Sequence, residues 1–119
     1  MWVQEMFFYV YVGDVERAKA FYEKALGAKV EFASPAWASL VIAGVRLNLV
    51  LREQEPSSTG LHFIVDNVAL ACAAVTSAGG DVAAAIETSH GVIADAFDSE
   101  GNTFTLRQRC EMASAAHAA

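Results

Sequence analysis

The sequence contains one pattern of predicted elements twice, and this repeat limits the possible folds more than any other feature. Each copy is predicted as a strand, a helix and three further strands. Asp14 in the first copy corresponds to Asn67 in the second, and Gly27 corresponds to Gly80 at the same offset. A repeat this short cannot bury its sheet alone, so the two copies must share a core or pair with another chain.

The first copy is predicted from its apolar periodicity and its helix-ending residues. Aromatic and β-branched residues over 5–12 predict a strand. Asp14 is a typical N-cap, apolar residues at three- and four-residue steps predict a helix over 15–26, and Gly27 ends it. Strands are predicted at 28–33, 37–42 and 45–52.

The second copy follows a polar, proline-containing segment over 53–59, which we interpret as a linker. Asn67 caps a predicted helix over 68–78, and the predicted strands are 60–66, 81–86, 91–98 and 102–107, with a loop at 87–90. We therefore predict one α+β domain with two βαβββ modules, 5–52 and 60–108, and an alanine-rich tail at 109–119. The alternative fold, a ferredoxin-like βαββαβ unit, is disfavoured because it has one strand too few for each helix.

Composition and charge exclude several functional classes. The net charge is −6, and the eight Lys and Arg residues do not cluster, which argues against nucleic acid and anionic membranes as partners. No apolar run approaches the roughly 18 residues of a membrane span, and no signal peptide is evident. Two cysteines, Cys72 and Cys110, make no disulfide framework. We expect a cytoplasmic protein.

Three segments resemble the vicinal-oxygen-chelate superfamily, which includes glyoxalase I, extradiol dioxygenases, fosfomycin-resistance enzymes and bleomycin-resistance proteins. They are 12–27, containing Phe-Tyr-Glu-Lys-Ala-Leu-Gly, 65–80, and the turn Asp-Ser-Glu-Gly-Asn at 98–102, where Ser99 replaces the usual proline. The resemblance covers residues 5–108. It implies that the two modules curl into a half-barrel around a cavity, with the helices outside.

The resemblance also implies where metal ligands would lie. In metal-dependent members, His, Glu or Gln side chains from the first and last strands of each module hold a divalent ion. The corresponding positions here are Phe7, Asn48, Gly60 and Thr105. Two of these have no donor atom, and the other two are weak neutral donors, so we predict no metal and no cofactor.

The candidate ligand-binding residues are those that the resemblance or strand alternation places at the implied cavity. Tyr9 and Tyr11 share one strand face with Phe7. We expect these rings to form a wall of the ligand cavity; alternatively, they fill the core or form a dimer interface. His62 and Asp95 are candidate catalytic residues, with His62 as a possible base; a structural His62 and a solvated Asp95 are the alternatives. The full candidate set is Phe7, Tyr9, Tyr11, Asn48, His62, Asp95 and Thr105.

Three functional hypotheses follow from this resemblance. The first is a bleomycin-resistance-like protein that binds a small cationic or aromatic molecule in a metal-free cavity, as a homodimer. The second is an isomerase, epimerase or lyase that uses His62 as a base. The third is a glyoxalase-type enzyme whose metal ligands lie at other positions. Arg46 and Arg107 are candidate anion contacts or solvated rim residues.

Overall fold

The fold is described over residues 2–110 of a computed structural model. It contains two helices and nine strands within that range: β1 (Phe8–Val12), α1 (Val15–Leu26), β2 (Lys29–Ala33), β3 (Trp37–Ile42), β4 (Val45–Leu51), β5 (Ser58–Ile64), α2 (Val68–Ser77), β6 (Asp81–Val82), β7 (Ile86–Thr88), β8 (Gly91–Phe97) and β9 (Thr103–Gln108). Neither helix is long and apolar enough to cross a membrane.

The two sheets have the same topology, which confirms the repeated βαβββ modules. The first sheet has the order β1-β4-β3-β2, and the second has the order β5-β9-β8-β6, with β7 also paired to β8. In each sheet the first strand lies parallel to the last, and the remaining pairs are antiparallel. The fold is therefore α+β, and neither sheet closes into a barrel.

Both predicted helix starts are confirmed at atomic detail. The Asp14 carboxylate accepts a hydrogen bond from the Arg17 backbone N–H at 2.9 Å, and the Asn67 side chain accepts one from the Leu70 N–H at 2.9 Å. Gly27 ends α1 in the left-handed region, at φ 66°. The second helix ends at Ser77, one residue before its predicted end.

The helices pack on one side of their sheets and leave the other side open. In the first sheet, Leu47 and Leu49 point toward α1 and are buried, whereas Asn48 between them points away. Phe104 and Leu106 have the same role in the second sheet. One continuous core contains these residues and the buried face of α1. We call the side of each sheet away from the helices its open face.

Several strand ends differ from the prediction because tertiary pairing decides them. The first strand begins at Phe8 rather than at residue 5, since its ladder with β4 starts where Phe8 meets Leu47. The fifth strand begins at Ser58, inside the predicted linker. Ser58 pairs with Thr103 of β9, a partner distant in sequence.

The predicted strand 81–86 and loop 87–90 were wrong. The structure has two short strands there, β6 and β7, and both pair with β8. Between them the register along β8 shifts by one residue, so the run Ala83–Ala85 contains a bulge. An alanine run has no alternation that could reveal such a break. The predicted tail reaches the described residues only at Arg109 and Cys110.

A buried carboxylate, Asp98, links the two modules. The Tyr22 hydroxyl of α1 donates to it at 2.8 Å, and the backbone N–H groups of Glu100 and Asn102 donate at 2.8 and 3.0 Å. Asn102 in turn donates from its side chain to the Tyr11 carbonyl at 3.1 Å. Burial raises the pKa of Asp98, although these hydrogen bonds act in the opposite direction.

A second contact joins the same turn to α1 at the surface. The Arg17 guanidinium donates two hydrogen bonds to the Glu100 carboxylate, at 2.7 and 2.8 Å. Burial alone would raise the pKa of Glu100, but hydrogen bonds from Arg17 and Ser99 lower it overall. The turn that carries the family resemblance therefore connects the modules by both buried and exposed contacts.

Replacing Tyr22 with Phe should destabilise the protein by about 1.5–3 kcal/mol, because the buried Asp98 carboxylate loses a charge-assisted hydrogen bond. Tyr9→Phe is the matched control. Its hydroxyl is exposed, so this change should alter the free energy of unfolding by less than about 0.5 kcal/mol. Urea unfolding followed by circular dichroism measures both, and equal losses would contradict the role of the Tyr22–Asp98 contact.

Candidate functional site

An aromatic strip runs along β1 on the open face of the first sheet. The Phe7 and Tyr9 rings lie 6.5 Å apart, and Tyr9 and Tyr11 lie 5.3 Å apart with an edge-to-face geometry. The Tyr9 residue is 54% exposed. The three rings lie on the opposite side of the strand from Val10 and Val12, which point into the core. Phe7 itself lies one residue before β1.

The two tyrosines are coupled to each other and to a nearby cation. Their hydroxyls share a hydrogen bond at 3.5 Å. The Arg52 guanidinium carbon lies 4.7 Å from the centre of the Tyr11 ring, a cation–π arrangement. The hydrogen bond with Tyr9, followed by contact with Arg52, lowers the pKa of Tyr11, and the same hydrogen bond raises the pKa of Tyr9. The strip already stacks against one cation.

A second aromatic pair faces the strip from the other side of β4. The Phe32 and Trp37 rings lie 4.4 Å apart with 31° between their planes. The sequence alone did not fix the side of Trp37. The two-residue turn at Ala43 and Gly44 could have done so, because it sets the register that places Trp37 opposite Val50. Phe32 follows a bulge and could not be placed in this way.

Between the two aromatic groups, β4 contributes polar side chains. The Arg46 guanidinium donates to the buried Ser39 hydroxyl at 2.8 Å and pairs with Glu31 at 3.0 Å and Glu5 at 3.7 Å. Its charge is therefore compensated locally. Asn48 lies between Tyr9 and Ser39 in the register, and its Oδ1 atom is buried with no hydrogen-bond partner.

The open face of the second sheet carries the other predicted residues. His62, Thr105 and Asp95 lie side by side on β5, β9 and β8 and line a concavity of about 330 Å³ together with Gly60. The Thr105 hydroxyl donates to Asp95 at 3.4 Å. The two candidate catalytic residues, His62 and Asp95, lie on strands that are not neighbours, because β9 with Thr105 lies between them.

Arg107 engages His62, a contact that sequence reasoning did not find. Its Nε donates to His62 Nε2 at 3.2 Å, and its Nη1 donates to the His90 carbonyl at 3.1 Å. The lone pair of His62 Nε2 is thus occupied by a cationic donor. Strand alternation along β9 places Arg107 on the same side as Thr105. The contact between Arg107 and His62, however, depends on how β5 and β9 pair.

The seven predicted ligand residues consequently form two groups. The first sheet holds Phe7, Tyr9, Tyr11 and Asn48, and the second holds His62, Asp95 and Thr105. Of the remaining histidines, His90 is exposed at a turn, and His117 lies outside the described residues. Burial raises the pKa of the half-buried Cys72 thiol, consistent with a packing role.

The four family metal positions do not offer a ligand set for a divalent ion. Phe7 and Gly60 contribute no side-chain donor, Asn48 an amide and Thr105 a hydroxyl, whereas such ions prefer imidazole and carboxylate groups. Within residues 2–110 there is also no cluster of three or more His, Cys, Asp or Glu that could hold a metal ion.

Solved structures with this fold are numerous. A hypothetical protein, SA1046 from S. aureus, has a TM-score of 0.76 at 23% identity, covering 89% of this chain and 94% of that one. The fosfomycin resistance protein FosX from Listeria monocytogenes, solved as an E126Q mutant with Mn(II) and 1S,2S-dihydroxypropylphosphonic acid, has a TM-score of 0.76 at 17% identity, covering 90% of each chain.

A third similar structure is that of an antibiotic binding protein, TnmS3 from Streptomyces sp. CB03234. It has a TM-score of 0.65 at 25% identity, covering 92% of this chain and 99% of that one. No curated protein matches the sequence significantly. Residues 4–106 match the sequence pattern of one family. The chain belongs to the Glyoxalase/Bleomycin resistance protein/Dioxygenase superfamily.

Proposed function

We propose that this protein binds a small aromatic, cationic molecule without a metal ion and without chemical conversion. The observation that carries this proposal is the exposed aromatic strip on the open face of the first sheet. Large exposed apolar groups aligned on one sheet face are typical of binding surfaces. The Tyr9 ring is exposed and offers a face for a cation–π contact of the kind that Arg52 makes with Tyr11, which supports a cationic ligand.

Charge and fold relatives support the same proposal. The net charge of −6 would attract a cation over long range. An antibiotic binding protein is among the similar structures, so binding of such a molecule is a function that this fold can serve. The free thiols Cys72 and Cys110 support the cytoplasm as the proposed compartment.

Replacing Tyr9 with Ala should weaken binding of aromatic cations about tenfold or more, because it removes one wall of the strip and no core contact. Calorimetric titration of cationic aromatic, neutral aromatic and anionic compounds, bleomycin-like glycopeptides included, measures the effect. Trp2→Ala is the matched control, since Trp2 is 91% exposed and outside the strip. A preference for the anionic compounds, or unchanged affinity in Tyr9→Ala, would contradict the proposal.

The proposed metal-free state rests on the neutral amide and hydroxyl at the family positions. Purified protein should contain far less than one Zn, Ni or Mn per chain after dialysis without chelator, because Asn48 and Thr105 cannot compete with water and buffer for these ions. Elemental analysis measures the content. A stoichiometric ion would favour the hypothesis that the metal ligands lie at positions other than these four.

We further propose that the binding cavity is shared in a symmetric homodimer. The candidate residues are divided between two open faces, and a two-fold arrangement can lay the first sheet of one chain against the second sheet of its partner. Tyr9 and Asn48 of one chain would then face the partner's equivalents of His62 and Asp95. The exposed aromatics of the first sheet would be partly covered in the same contact.

At micromolar concentration, size exclusion with light scattering should give twice the chain mass of 12.7 kDa. Phe32→Asp should shift the mass toward one chain, because it places a charge on the open face. Leu70→Asp is the matched control on the exposed side of α2, and it should leave the mass unchanged. A single-chain mass for the wild type would exclude the shared cavity.

The alternative function is an isomerase, epimerase or lyase with His62 as base. The polar concavity around His62, Thr105 and Asp95 favours it. Against it, a general base needs a free lone pair toward its substrate, and His62 Nε2 is engaged by Arg107. His62→Ala separates the two functions, since a binding protein loses at most some affinity and an enzyme loses turnover.

A further inference from the structure

We infer that Arg107 is a positioning residue, which holds His62 as a hydrogen-bond donor, with the ring proton on Nδ1, for a ligand that carries a neutral oxygen acceptor. The role of Arg107 depends only on contacts within the second sheet. The ligand class rests on the proposed function, to which it adds a specificity-determining side chain, His62.

The contact between Arg107 and His62 fixes the tautomer of the imidazole. Arg107 Nε donates to His62 Nε2 at 3.2 Å. A guanidinium has only donors and stays protonated in proteins, so the ring nitrogen that accepts from it must carry a lone pair. The neutral ring consequently has its proton on Nδ1. In free histidine the Nε2–H tautomer is the more populated one, so this contact reverses the ordinary preference.

Arg107 is also held by a second contact, to the turn between β7 and β8. Its Nη1 donates to the His90 carbonyl at 3.1 Å. The start of β8 lies so close to the end of β9 that a Cβ atom at Gly91 would collide with the Gln108 carbonyl, and Gly91 has a φ of 112°. The guanidinium therefore bridges a closely packed turn and the imidazole, which orients the ring.

The other ring nitrogen is the one available to a ligand. His62 lines the concavity of about 330 Å³, and its Nδ1 has no hydrogen-bond partner among the residues that the structure describes. Since the Nε2 lone pair is occupied and Nδ1 carries the proton, the ring can donate a hydrogen bond but has no free acceptor. The ring thus serves binding of an acceptor better than abstraction of a proton.

The charge of the concavity decides which acceptor suits this donor. Asp95 lines the concavity, Arg107 does not, and no Lys or Arg of the described chain forms an ion pair with Asp95. The Asp95 charge disfavours a carboxylate or a phosphate in the same space. A carboxamide suits both residues, because its oxygen accepts from His62 and its N–H groups are compatible with Asp95. The ligand class is therefore an aromatic cation that carries a carboxamide.

The tautomer is measured by nitrogen NMR on the protein without ligand, at about pH 8.5, where an ordinary imidazole is neutral. Protonated and unprotonated ring nitrogens differ strongly in ¹⁵N chemical shift, and His62→Gln identifies the His62 signals. The wild type should have its proton on Nδ1. Arg107→Met has a side chain of similar length without a donor, so it should shift His62 toward the Nε2–H tautomer.

Arg109→Met is the matched control, because it removes the same charge from an exposed arginine just beyond β9. It should leave the His62 tautomer unchanged, and circular dichroism establishes that each variant is folded. A wild-type Nε2–H tautomer, or an Nδ1–H tautomer that persists in folded Arg107→Met, would overturn the positioning role. If Arg107→Met does not fold, the scalar coupling across the wild-type N–H···N hydrogen bond decides: its presence supports the role, and its absence overturns it.

The ligand class is tested with three compounds that share one methylated pyridinium ring. They are 1-methylnicotinamide with a carboxamide, 1,3-dimethylpyridinium with a methyl group in its place, and 1-methylnicotinate with a carboxylate. Each is titrated by NMR against the wild type, Arg107→Met and Arg109→Met. The wild type and Arg109→Met should bind the carboxamide about fivefold more tightly than the other two, the effect of one neutral hydrogen bond. Arg107→Met should lose this preference.

The outcomes separate the inference from the proposed function. Equal affinities of the wild type for the three compounds, or a preference for the carboxylate, would overturn the carboxamide as ligand class. The positioning role and the binding of aromatic cations would then still stand. If none of the three compounds binds, the proposed binding of aromatic cations is contradicted together with the ligand class. The tautomer, measured without ligand, decides on Arg107 in every case.

Discussion

The buried carboxylate of Asp98 is the contact on which the rest of the structure depends. It accepts hydrogen bonds from a side chain of α1 and from two backbone groups of its own turn, so the first helix and the last hairpin are fixed to each other. Asn102 extends the network to the Tyr11 carbonyl and to the Ser57 N–H. A charge this deeply buried is tolerated because its oxygens are satisfied. The turn that marks the family is thus a structural element of the fold.

The packing of each helix on only one side of its sheet determines where binding can occur. Strand alternation then divides every strand into residues that stabilise the core and residues that are free for another purpose. On β4, Leu47 and Leu49 belong to the first group and Asn48 to the second. The open face can change its chemistry without disturbing the core. This explains how one fold can carry different side chains, and so different functions, on that face.

The division of the candidate residues between two open faces has a physical consequence. Each face alone is shallow, and a ligand on it would keep much of its surface in water. Apposing two faces across a two-fold axis would exclude that water, which strengthens stacking and hydrogen bonding at once. The dissociation constant of the dimer and the affinity for the ligand would then be linked, because a ligand that contacts both chains favours the dimer.

The sequence by itself determined the repeated modules, both helices with their N-caps, and the strand face shared by Phe7, Tyr9 and Tyr11, because these depend on local spacing and on residues such as Asp14 and Asn67. Together with the family resemblance, strand alternation predicted that His62, Thr105 and Asp95 face the implied cavity, with a structural His62 and a solvated Asp95 as alternatives. Only the tertiary structure decided the early start of β5, the bulge between β6 and β7, and the contact between Arg107 and His62, since each depends on a partner strand distant in sequence. The unsatisfied Asn48 carbonyl belongs to the same class. Hydrogen-bond satisfaction is a property of the whole surroundings of an atom, and no local pattern encodes it.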